Sequence, residues 1–147
     1  MWDPYAEFES AVLPNGLTVY ASHWPDRPWE TISFLVHTGA SSDPVGLEGV
    51  AHFVEHMVSK NTVVPYDDIR SFFEVCGGYA SLGTTGYPYT TYEFFVPTDA
   101  TILSQALNIF GNMLFQAMLE QFLERERSVI TGEFRQSYPA QLPLDLQ

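Results

Sequence analysis

Two histidines and a glutamate in Gly49-Val50-Ala51-His52-Phe53-Val54-Glu55-His56-Met57 have the types and spacing for metal chemistry. On a helix, His52 and His56 lie about 40° apart, and Glu55 lies about 60° to the other side of His52. Both imidazoles can then face one ion while the carboxylate beside them serves as a base. Glu48, Gly49 and Ser59 share this arc, and Val50, Phe53, Val54, Met57 and Val58 fill the opposite one. Such a helix packs by its apolar side and turns the His-Glu-His side to a cleft. The plainer alternative is a solvated polar face, but two of the four histidines in the chain stand at ligand spacing here. Two rings alone do not complete a site, so a third ligand is required.

A second stretch offers one. A helix is predicted over about Leu119–Ser137, and with Glu126 set at 0°, Leu119, Phe122, Val129 and Ile130 fall within about 60° of it. Glu133, two turns later, returns to within about 20° of Glu126. Glu120, Glu124, Arg127 and Arg135 fall on the far side. Two carboxylates thus occupy the middle of an apolar stripe. Burying an ionised carboxylate costs several kcal/mol unless it is paired or bound to a metal. The only lysine is Lys60, and the arginines of this helix point away. An ion held by His52 and His56 would satisfy Glu133.

Other segments must position these two helices. Leu13-Pro14-Asn15-Gly16-Leu17 reads as a tight turn feeding a strand at Leu17–Ala21. Alternation predicts a strand over Thr31–His37, with His37 structural. Gly39–Gly46 is the loop entering the metal helix, which is placed near Leu47–Ser59. Pro65-Tyr66-Asp67-Asp68 starts another helix, its stripe formed by Ile69, Phe72, Phe73 and Cys76, and Gly77-Gly78 ends it. Tyr79–Thr85 and Tyr89–Val96 are β-rich runs around Gly86-Tyr87-Pro88, read as a hairpin. Thr98-Asp99 caps a long helix whose inner face carries Ile102, Leu103, Ala106, Phe110, Met113 and Leu114.

Composition sets limits on function. The 147 residues are 46% hydrophobic and 15% aromatic, a globular composition with enough chain for one domain. Eighteen acids against six bases give a net charge of −12. Nucleic acid is therefore not the expected partner, because phosphate contacts need Lys and Arg. The same excess permits attraction of basic peptides, although such an excess more often serves only solubility. The single cysteine, Cys76, excludes an internal disulfide. No apolar run reaches membrane-spanning length and no leader is visible, so no membrane partner is expected and a cytoplasmic location is predicted.

With these residues read, the chain resembles the first part of the inverzincin zinc peptidases, the group of pitrilysin, insulin-degrading enzyme and mitochondrial processing peptidase. His52-Phe53-Val54-Glu55-His56 is the H-x-x-E-H signature. Leu13–Leu17, Gly39–Asp43, Lys60-Asn61-Thr62, Gly77-Gly78 with Tyr92, and Glu124-Arg125-Glu126 through Glu133 resemble its flanking blocks. The resemblance implies an α+β fold, a mostly antiparallel sheet packed against helices, and one domain over residues 1–147 that is truncated or minimal. It implies zinc (Zn2+) held by His52, His56 and Glu133, Glu55 as general base and Glu126 as a carboxylate behind the ligands. Substrate would lie as an added strand along Tyr79, Ala80, Ser81 and Leu82.

Two departures stand out. Ser81 occupies the place where the family usually carries an Asn that contacts the substrate backbone. The second half that closes a chamber in the family has no counterpart here, which implies a homo- or hetero-oligomeric partner. The competing readings are a metal-binding but inactive subunit or peptide-binding module, and a purely structural zinc site for which Cys76 is a poor fourth ligand.

Overall fold

The computed structural model describes residues 8–60, 64–118 and 122–137. Strands β1 (Glu9–Val12) and β2 (Thr18–Ala21) form an antiparallel hairpin around the Pro14-Asn15-Gly16 turn. The Asn15 side chain accepts from the Leu17 backbone N–H, and Gly16 takes a positive φ of 87°. Strand β3 (Trp29–Val36) belongs to a second antiparallel sheet with β4 (Tyr79–Thr85) and β5 (Thr90–Pro97), in the order β3-β5-β4. The predicted hairpin is thus β4–β5, with β5 central and β4 at an edge. Four helices complete the α+β unit: α1 (Val50–Ser59), α2 (Tyr66–Cys76), α3 (Ala100–Phe115) and α4 (Leu123–Ser137). No helix among the described residues is long and apolar enough to cross a membrane. The expected helix start at Leu119, the Asn61-Thr62 block and the tail from Pro139 lie outside the described residues.

The core forms between one sheet face and α2 and α3. On β5 the alternation Thr90, Tyr92, Phe94, Val96 is buried while Glu93 and Phe95 face outward. Phe94 meets Phe110 of α3 at 4.7 Å between ring centroids and Phe73 of α2 at 5.5 Å. Ile69, Ala106 and Met113 are fully enclosed with them. The two helices keep this register because their ends are fixed. Asp99 caps α3 by accepting from Thr101 and Ile102, and Gly77, at φ 77°, terminates α2 in the left-handed region that suits glycine.

Helix α1 departs from the expectation in two ways. It begins at Val50 rather than near Leu47, because Gly46 and Gly49 hold positive φ values of 84° and 98° and keep that segment in turns. Its buried side is also rotated. Ala51, Glu55, Met57, Val58 and Ser59 are buried, whereas Val50 and Val54 are each 39% exposed. Hydrophobicity alone misassigned that face, since a partnered carboxylate can be buried in place of a valine. On α4, Glu126 is buried as expected. Phe122 and Val129, assigned to the same apolar stripe, are exposed, because α4 touches the rest of the described structure chiefly along α1.

Candidate metal centre

The centre is built where α1 meets α4. Asp43, in the loop before α1, holds the helix start: its carboxylate accepts from Gly49 N–H at 2.6 Å and Ala51 N–H at 2.8 Å. An acid at this end also complements the helix dipole. One and two turns in, His52 and His56 project together, with Nε2 atoms 3.1 Å apart. Glu133 of α4 brings its Oε2 to 3.6 Å from His52 Nε2 and 3.5 Å from His56 Nε2. These three atoms form a nearly equilateral triangle, and the three residues are a group able to hold one metal ion. Atoms bonded to one ion at about 2.0–2.2 Å with tetrahedral angles stand at about this separation. The His52 and Glu133 side chains remain 40% and 44% exposed, so the outer side of the triangle is open.

Glu126 occupies the closed side. Its side chain is 2% exposed, and His56 Nδ1–H donates to its Oε2 at 3.4 Å. With the ring proton on Nδ1, this contact would leave the Nε2 lone pair facing the triangle. It also orients the ring, as a carboxylate behind a metal-binding histidine commonly does. The two carboxylates that share a helical stripe therefore differ in setting, one meeting both rings at the open face and the other backing one ring from within.

Glu55 points toward β4. Thr85 Oγ1–H donates to Glu55 Oε2 at 2.9 Å, and the carboxylate fits under Gly83, whose φ is 149°. A Cβ at Gly83 would overlap the Glu55 side chain. The fit depends on a β-bulge. Ser81 pairs with Glu93, but Thr84 pairs with Thr91, so β4 carries one extra residue between them. Strict alternation would put Thr85 on the same face as Tyr79 and Ser81; the bulge turns it inward to Glu55. Tyr92, beneath, is pushed up to about 12, first by burial and then by the negative charge of Glu55.

Of the four residues expected to line a substrate, Tyr79 and Ser81 share the outward face with Phe95 and Glu93, their register partners. Ala80 and Leu82 pack against the core instead. All four lie on β4, whose second edge pairs with no other strand among the described residues. Asp43, Gly83 and Thr85 were not singled out from sequence as parts of the site. Gly83 within a β-rich run was the available signal, because a glycine there marks a bulge or a close approach.

An antiparallel sheet backed by helices, with two histidines and a carboxylate gathered beside it, defines an α+β domain with a candidate metal centre. The sequence profile of Insulinase (Peptidase family M16) matches residues 18–142, and the chain belongs to that family. Insulin-degrading enzyme-like 2 of Arabidopsis thaliana is 32% identical over 114 residues, which is 77% of this chain and 12% of that protein. Mitochondrial-processing peptidase subunit beta of Saccharomyces cerevisiae is 29% identical over 125 residues, covering 82% and 26%. Among solved structures, the first half of the periplasmic protease PqqL from Escherichia coli superposes with a TM-score of 0.72 at 25% identity, covering 96% of this chain and 31% of that one. The chain therefore spans about a quarter or less of the length of these two relatives.

Proposed function

We propose that this chain is the active-site part of a zinc-dependent endopeptidase, with His52, His56 and Glu133 as metal ligands and Glu55 as general base. One observation carries the reading: Nε2, Nε2 and Oε2 from two separate helices converge at 3.1–3.6 Å. The donor set fits zinc, since two imidazoles and one carboxylate are ligands of catalytic zinc sites that keep a further position open. These three residues would hold the zinc, which would supply Lewis-acid activation of a water molecule. Glu55 removes the proton from the attacking water and delivers it to the leaving amine. Thr85 holds the Glu55 carboxylate in orientation, and Gly83 leaves room for it beside the strand edge. Glu126 fixes the tautomer and tilt of the His56 ring.

The substrate is a peptide in extended form that pairs with the free edge of β4 along Tyr79, Ala80, Ser81 and Leu82. The net charge of −12 favours unfolded segments carrying basic residues. One relative is named a subunit and a solved neighbour is a first half, which supports a homo- or hetero-oligomeric partner that closes the site. Exposed Val50 and Val54, with Val36, line a shallow apolar hollow beside α1 that such a partner can cover.

The test is Glu55→Gln, which keeps size and removes the base. Cleavage of an unfolded basic peptide, by the chain alone or mixed with its partner, is expected to fall by a factor of about 10²–10⁴ while zinc stays bound. Turnover at the native rate in this variant would overturn the assignment. A native chain that binds zinc and peptide yet cleaves nothing with any partner would instead favour the inactive peptide-binding subunit.

A further inference from the structure

The outward face of the β3-β5-β4 sheet carries two cross-strand rows that end at the free edge of β4. In the first, Trp29 meets Phe95 edge-on at 5.6 Å and Phe95 stacks with Tyr79 at 5.7 Å. In the second, Ser33, Glu93 and Ser81 are direct register partners on β3, β5 and β4. The Ser33 hydroxyl donates to Glu93 Oε1 at 2.9 Å, and no donor among the described residues bonds Oε2. Among the described residues, no lysine or arginine pairs with Glu93.

We propose that Glu93 selects the peptide substrate: a Lys or Arg on the added strand, directly opposite Ser81, reaches across this small residue to the Glu93 carboxylate. The inference rests on the strand-addition reading and deepens it. Adjacent strands lie about 4.7–4.9 Å apart, so a strand on the β4 edge is two spacings from Glu93. A long basic side chain and a glutamate jointly span that distance, provided the residue between them is small. The serine hydroxymethyl at position 81 meets the condition, and a bulky residue there would block the path. Same-face positions on a strand recur every second residue. The residue two positions away, opposite Tyr79, therefore meets the end of the aromatic row and is best filled by an aromatic or large aliphatic side chain. The selected segment thus carries a basic and a bulky apolar residue with one residue between them, on one face. Glu93 is exposed, so the preference is modest in size.

The experiment measures binding, independent of turnover. A single Arg is walked through a labelled, uncharged ten-residue peptide, and fluorescence anisotropy gives Kd for the full chain against the all-neutral parent. Arg at one position is expected to tighten binding about three- to fivefold over Gln there. In Glu93→Gln this Arg-to-Gln ratio collapses to about one, and in Glu93→Arg it inverts, with Glu preferred at the same position. Ser81→Phe also removes the ratio, and circular dichroism of each variant checks that the fold is kept. Peptides N-methylated at alternate residues separate the two readings. If alternate methylation weakens binding while the Arg preference is absent or survives Glu93→Gln, strand addition stands and the role of Glu93 is overturned. If binding ignores methylation, or no peptide binds, strand addition itself fails and this inference fails with it.

Discussion

The α2–α3–β5 core and the α1–α4 wedge are both contacts between secondary-structure elements, but different forces hold them. In the core, Phe73, Phe94 and Phe110 pack ring on ring with Ile69, Val96 and Met113, and no charge intrudes. In the wedge, Glu126 is almost fully buried, and the contact runs through imidazole and carboxylate atoms. The core gains from every apolar area it removes from water, whereas burying the carboxylates of the wedge carries a desolvation cost that polar partners must offset. A stable sheet-and-helix layer thus carries a constellation that, in the proposed reading, a cation would complete.

Phe110→Ala empties a fully enclosed ring site and is expected to cost about 3–5 kcal/mol, read from denaturant unfolding. In the molecules that remain folded, metal affinity should change little, because the core does not touch the triangle. A loss confined to metal binding, with stability unchanged, would mean that the two regions are not separable in this way.

Tyr92 lies at their border and sharpens the contrast through pH. Its phenol is held up to about 12 in the folded chain against 10.0 as the ordinary value. The unfolded chain gives up this proton from about pH 10, while the folded chain keeps it until about pH 12. The stabilisation is therefore complete below pH 10 and lost as pH rises through 12, amounting to at most about 2–3 kcal/mol. Tyr92→Phe should flatten the stability profile over that window in alkaline unfolding curves. Glu55→Gln should bring the late phenolate absorbance step to lower pH, because the glutamate charge is one of its causes.

The smallest expected effect is at the mouth of α1. Asp43→Ala removes the acceptor for the Gly49 and Ala51 N–H groups and should cost about 1–2 kcal/mol by thermal unfolding, fraying the helix end that precedes His52.

The sequence made the core more legible than the wedge. The stripe of α3, its Asp99 cap, the glycine stop of α2 and the β4–β5 hairpin were all readable because each is a local pattern with a local cause. The spacing of His52 and His56, and of Glu126 and Glu133, likewise suggested that four side chains share one region. What could not be read was the rotation of α1. Its buried side is decided by Thr85 and Gly83, which enter only through a one-residue bulge on a strand outside that helix. The role of Asp43 was hidden for the same reason, since it caps the helix from beyond the Ncap position through a loop of turns. Period-based reading assigns faces within an element; it cannot see a partner that arrives from another one.

The central claim is that residues of α1 and α4 together bind one divalent ion. The most direct measurement is zinc content by elemental analysis after equilibration with zinc and removal of excess, for the native chain and for Glu133→Gln. About one zinc per native chain, lost or greatly weakened in the variant, is the predicted result. No zinc on the native chain, or undiminished zinc on Glu133→Gln, would contradict it.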